Sequence, residues 1–93
     1  MARKRSWNTR FRPFWVVEAV YPLKKNDLAR STRSIERAGG ARNWLGAGVF
    51  LPKGIRDVSF SYIQKAAAER CAARLRRLKS VVGLKVSMKF VGE

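Results

Sequence analysis

The chain has 93 residues, enough for one domain with one modest core. It carries 21 Lys and Arg against 6 Asp and Glu, a formal net charge of +15, with no histidine and a single cysteine. Those counts exclude an intrachain disulfide, leave no usual ligand set for zinc, and remove the side chain that most often moves protons near neutral pH.

At this charge the folded chain repels itself, and a polyanionic partner would offset the repulsion. No apolar run approaches the length of a membrane span, so no membrane partner is expected. The lone Cys71 fits a reducing compartment, and a cytoplasmic location is the expectation.

Residues 1–12 hold Arg3, Lys4, Arg5, Arg10 and Arg12, with Trp7 and Phe11 between them and no periodicity. They read as a flexible basic arm ahead of one domain over residues 13–93. A basic start before an apolar run has the outline of a signal peptide, but Glu18 interrupts the run and no small-residue cleavage site follows. Pro13 marks the entry to a first strand, Phe14–Tyr21. There Trp15, Val17, Ala19 and Tyr21 form an apolar face, and Phe14, Val16, Glu18 and Val20 form the other.

Residues 22–43 admit two readings. Asp27 can cap a short helix that runs to Ala38 and stops at Gly39-Gly40. The apolar pattern is thin, however, and Ser31, Thr32 and Ser34 favour turns, so a mobile basic loop fits equally. Trp44–Leu51 is the next strand. Strict alternation turns Leu45, Ala47, Val49 and Leu51 one way, and Trp44, Gly46, Gly48 and Phe50 the other. Pro52-Lys53-Gly54 is a turn, and Ile55–Phe60 is a candidate short strand.

The clearest signal lies in the last third. Ser61, with Gln64 three positions on, has the spacing of a capping box for a long helix over 61–79. Ile63, Ala67, Cys71, Leu75 and Leu78 make its apolar stripe. Gly83 follows, and the period changes from 3.6 to 2. Leu84, Val86, Met88 and Phe90 then face one way, and Lys85, Ser87 and Lys89 the other.

The expected fold is α+β: a mainly antiparallel sheet of three or four strands, with the long helix packed on one face. With the helix in 22–43 it is a ferredoxin-like βαββαβ arrangement; without it, ββαβ. Leu75, Leu78, Val86, Met88, Phe90, Val17 and Val49 are the expected core.

No constellation for chemistry is visible. Neither AGGARN nor LGAGVF has the spacing of a phosphate-binding loop, and no nucleophile has a base to partner it. The expectation is a non-enzymatic protein with no cofactor and no metal. Glu18 reads as a solvent-side residue, paired across strands with Lys85 or Lys89.

Arg70, Arg74 and Arg77 recur at steps of four and three, a basic ridge able to track phosphates, with Lys65 and Arg76 on the outer face. Phe14, Trp44 and Phe50 would stand on the helix-free side of the sheet, where they could stack bases, seat a partner protein or form a homodimer contact. The expected function is nucleic-acid binding, DNA or RNA, through the basic arm, Lys65 and the arginine ridge. The alternative is a protein-binding accessory module, an inhibitor or adaptor of the kind phages and plasmids use. It would act on an acidic host protein through the aromatic sheet face.

Overall fold

The computed structural model describes residues 13–92. Strand β1 (Phe14–Pro22) is followed by helix α1 (Leu28–Gly39), strands β2 (Trp44–Phe50) and β3 (Ile55–Tyr62), helix α2 (Lys65–Arg76) and strand β4 (Lys85–Val91). The four strands form one sheet in the order β2-β3-β1-β4, every neighbour antiparallel. This is the ferredoxin-like arrangement, with both helices on one face.

β1 lies in the middle of the sheet and has the alternation its sequence dictates. Val17, Ala19 and Tyr21 are fully buried beneath the helices, beside Val58 and Phe60 of β3. The Tyr21 hydroxyl is satisfied under the first turn of α1: it donates to the Leu28 carbonyl at 3.3 Å and lies 2.9 Å from the Thr32 hydroxyl. A buried phenol needs such partners, and they tie strand to helix.

Residues 22–43 contain the helix. The Asp27 side chain caps it, accepting from the Arg30 N–H at 2.9 Å, and Gly40 ends it at φ 94°, where a side chain would be strained. The thin apolar pattern suffices because only Ser31, Ile35 and Gly39, four residues apart, face inward. Gly39 rests directly on the Phe60 ring, with no room for a Cβ. The loop before the helix is held by Asn26. Its amide donates to the carbonyls of Pro22 at 2.7 Å and Val82 at 2.9 Å, and its oxygen accepts from the Val82 N–H at 2.9 Å.

Helix α2 is shorter than the expected 61–79 span. β3 continues through Ser61, which pairs with Val16, and Tyr62, which pairs with Trp15. Ser61 is therefore a strand residue and not a cap; the cap position is Gln64. Ladder hydrogen bonds to a central strand outweigh one side-chain cap. Ile63, placed in the stripe by the sequence, lies outside the helix at 64 % exposure. The buried stripe is Ala68, Cys71, Ala72 and Leu75, with Leu78 packed at its edge. Alanines at two of the four positions let the helix sit close to the sheet.

β4 has the expected face, with Leu84, Val86 and Met88 against the core. Phe90 and Val49, expected in the core, are both exposed, because each is the next-to-last residue of an edge strand, where the packing against the core ends. Phe90 instead stacks at a tilt on Trp15, ring centroids 4.8 Å apart. Among the described residues no helix is long and apolar enough to cross a membrane.

Candidate functional site

Among the described residues, the two faces of the molecule differ in charge. On the open face of the sheet, Lys85 and Lys89 of β4 are matched by Glu18 of β1 and Asp57 of β3. The helical face is strongly basic. On α1, Arg30, Arg33 and Arg37 recur at steps of three and four, all exposed, opposite the buried Ser31, Ile35 and Gly39. Arg70 on α2 and Arg77 at its C-cap are exposed on the side away from the sheet, and Lys65 and Arg76 are exposed as well. The helices pack directly against each other, so the two arginine rows belong to one surface. Glu36 and Glu69 are the acidic residues within these helices.

The α1 row does not stand out in the sequence, since a helix is only one of two readings there. Its signal is the same three-and-four spacing that marks the α2 ridge.

Arg74 differs from its neighbours in the ridge. Its Nε donates to the Ala38 carbonyl at 2.6 Å, at the C-terminus of α1. Helix C-termini leave carbonyls without intrahelical partners and carry partial negative charge, so a guanidinium is favoured there. Arg74 thus holds α1 to α2, with only its other N–H groups free for a ligand. Lys65 has its ammonium 5.4 Å from the Trp15 ring centroid, a cation–π contact that positions it without neutralising it. Arg3, Lys4, Arg5, Arg10 and Arg12 lie outside the described residues.

The Gly39 carbonyl accepts from the Tyr62 hydroxyl and, at 3.6 Å, from the Cys71 thiol. Burial pushes the Tyr62 hydroxyl up to about 12, with its neighbour Cys71 adding to the shift. Burial also raises the Cys71 thiol. A protonated, fully buried sulfur that donates to a backbone carbonyl is a packing group, not a nucleophile.

The expected aromatic platform is not assembled. A bulge between Trp44 and Gly46 breaks the alternation of β2. Trp44 turns to the helical side and packs edge-on against Phe60, centroids 6.0 Å apart at 87°. Leu45 turns to the open face, and Leu51 leaves the strand for a 3-10 turn, Leu51–Lys53. These two residues therefore do not face the helices as strict alternation requires.

Phe14 and Phe50 remain on the open side but at opposite ends of it. Phe14 lies beside Val91, whereas Phe50 lies beside Ile55, which pairs with Pro22. At ~3.3 Å per residue they are roughly 20 Å or more apart, too far to stack neighbouring bases. At the Phe14 end lies an open trough of about 320 Å³ lined by Phe14, Val16, Leu45 and Val91 together with Glu18, Ser59, Ser87 and Lys89. Glu18 lies directly across from Ser59 and Ser87, and Lys85 and Lys89 occupy diagonal positions instead of the expected facing ones.

No protein-family model matches the sequence, and no curated protein matches it. The fold is similar to the solved structure of an uncharacterized protein from Thermotoga maritima. The TM-score is 0.56 and the identity 8 %, over 84 % of this chain and 95 % of that one. At that identity the likeness concerns the fold alone.

Proposed function

We propose that the protein is a non-enzymatic nucleic-acid binder that meets the phosphate backbone with its helical face. The observation that carries this reading is the segregation of charge. Among the described residues, Arg30, Arg33 and Arg37 on α1 stand with Arg70 and Arg77 beside α2, whereas Lys85 and Lys89 on the open sheet face are matched by Glu18 and Asp57. Charge needed only for solubility has no reason to gather on one side; a surface for a polyanion does. Arginine forks suit phosphate oxygens, and their spacing along two helices suits a backbone more than a single small anion. With the aromatic platform dispersed, the protein meets phosphates rather than stacked bases, so duplex and single strand should both bind.

A test needs no known sequence target. Non-specific oligonucleotide should raise the melting temperature at low salt, and the shift should shrink steeply between roughly 50 and 200 mM salt. Replacing Arg33, Arg37, Arg70 and Arg77 with Gln should lower the slope of log K against log salt by about 0.9 for each phosphate that is no longer neutralised. Arg74 is left intact because it supports the fold. Leu45→Ala, on the open face, should leave the slope unchanged. If the four-residue variant keeps the full slope and nucleic acid stabilises no better than heparin, the reading fails.

A second reading has its own observation. The trough beside Leu45 is open and mixes apolar walls (Phe14, Val16, Leu45, Val91) with the polar Glu18, Ser59, Ser87 and Lys89, as a docking site for a partner protein can. An acidic host protein whose binding is abolished in Leu45→Ala, but not in the arginine variant, would support it.

A further inference from the structure

The sheet has two edges, and they differ. β4 carries Lys85 and Lys89, and charged side chains, lysine above all, are a common means of keeping sheet edges from pairing. β2 carries none; Asn43–Pro52 is the longest uncharged run in the chain. Along it Leu45 and Phe50 are each 51 % exposed and Leu51 is 75 % exposed. A Cβ built on Gly46 meets nothing within 4 Å, so open space lies above that residue.

We propose that β2 pairs antiparallel with β2 of a second copy of this chain, about a two-fold axis at Gly48, joining the two four-stranded sheets into one. The register follows from the faces. Ala47 and Val49 lie on the helical side, across from Val58 and Arg56, and Gly46, Gly48 and Phe50 lie on the open side. An axis at Gly48 sets Ala47 opposite the partner's Val49, and Gly46 opposite the partner's Phe50. Every pair then shares a face, and each Phe50 ring covers the empty space over a glycine, a favourable cross-strand pair. An axis at Ala47 would set Phe50 against the partner's Trp44, which the bulge has turned to the other face.

A second copy fits better than an acidic strand from another protein, because β2 itself carries no cation to read an acidic strand's charge. Cations begin only at Arg42 and Lys53, beyond its ends. The axis is perpendicular to the sheet, so the helical faces of both copies point the same way. The pairing does not depend on the nucleic-acid reading.

Sedimentation velocity over a concentration series tests it. Arg42 approaches the partner's Lys53 at each end, so dimer should increase with protein concentration and with salt up to about 1 M, where charges are screened beyond ~3 Å. Ala47→Lys alters a side chain exposed in the monomer and should weaken dimerisation by about tenfold or more while the melting temperature of dilute protein holds. Gly48→Cys should form an intermolecular disulfide under oxidised glutathione. Facing residues sit ~4.5–5.5 Å apart between Cα atoms, within disulfide range. A Cβ at Gly48 meets only the Asp57 carboxylate at 3.1 Å, the end of a side chain that can turn away, and Cys71 is buried out of reach. Ser80→Cys, in an exposed loop, is the control. The proposal is overturned if the wild type is monomeric at every concentration and salt. It is also overturned if Ala47→Lys dimerises normally, or if Gly48→Cys crosslinks no faster than Ser80→Cys.

Discussion

Gly39→Ala should destabilise the protein, although helix propensity says the opposite. Gly39 is the last residue of α1 and has ordinary helical backbone, so alanine there should gain about 1 kcal/mol. Against that gain stands Phe60. A Cβ on Gly39 would fall within the contact distance of the ring's Cζ and only 2.6 Å from both Cε atoms. The ring has nowhere to go: it is fully buried, edge-on to Trp44, on a strand paired along both sides. The helix end cannot lift either. The Gly39 carbonyl is held by Tyr62 and Cys71, and the Ala38 carbonyl by Arg74.

Forcing an extra methyl into such a site costs typically ~1–3 kcal/mol, and contacts this short belong at the upper end or above it. The net loss should be ~2 kcal/mol, which for a domain of this size lowers the melting temperature by roughly 8–16 °C. Urea denaturation gives the free energy directly. Phe60→Leu supplies the control, since it removes the obstructing ring atoms at a cost of its own. In that background Gly39→Ala should cost at least about 1 kcal/mol less. A stabilised Gly39→Ala protein, or a double-mutant cycle with no coupling, would refute the packing argument.

Two further outcomes follow from the core. Leu75→Ala should cost about 2–5 kcal/mol in denaturant unfolding, while Ile63→Ala, outside the helix and exposed, should cost a few tenths; equal costs would show the helix phase to be wrong. Tyr62 makes stability fall in alkali. Its hydroxyl is raised from 10.0 to about 12 in the folded protein, so the folded state holds the proton more tightly than the unfolded one. The contribution is complete below pH 10.0 and is lost as pH rises through about 12, where the phenolate can no longer donate to Gly39. Difference melting curves of wild type and Tyr62→Phe across that window should converge as pH rises; a constant difference would show that the hydrogen bond does not titrate.

Much of the fold is written in local pattern. The alternation of Phe14–Tyr21, the Asp27 cap with its Gly39-Gly40 stop, and the change of period between Leu78 and Leu84 all survive into the structure, because each depends on near neighbours in the chain. The α+β class and the basic ridge at Arg70 and Arg77 follow from the same periods. What local pattern could not decide was set by contacts between distant residues. Whether 22–43 is helix depended on a flat seat for Gly39, supplied by Phe60. Ser61 had a capping motif, but its place in the ladder beside Val16 prevailed. The bulge at Leu45 comes from the pairing of β2 with β3 and sends Trp44 to the core, while the sheet register sets Phe14 and Phe50 at opposite ends of the open face. Arg74 looked like one more free cation until the end of α1 arrived beside it. Spacing along the chain sets which side chains share a face, and only the packed sheet and helices decide which of those faces remain open to a partner.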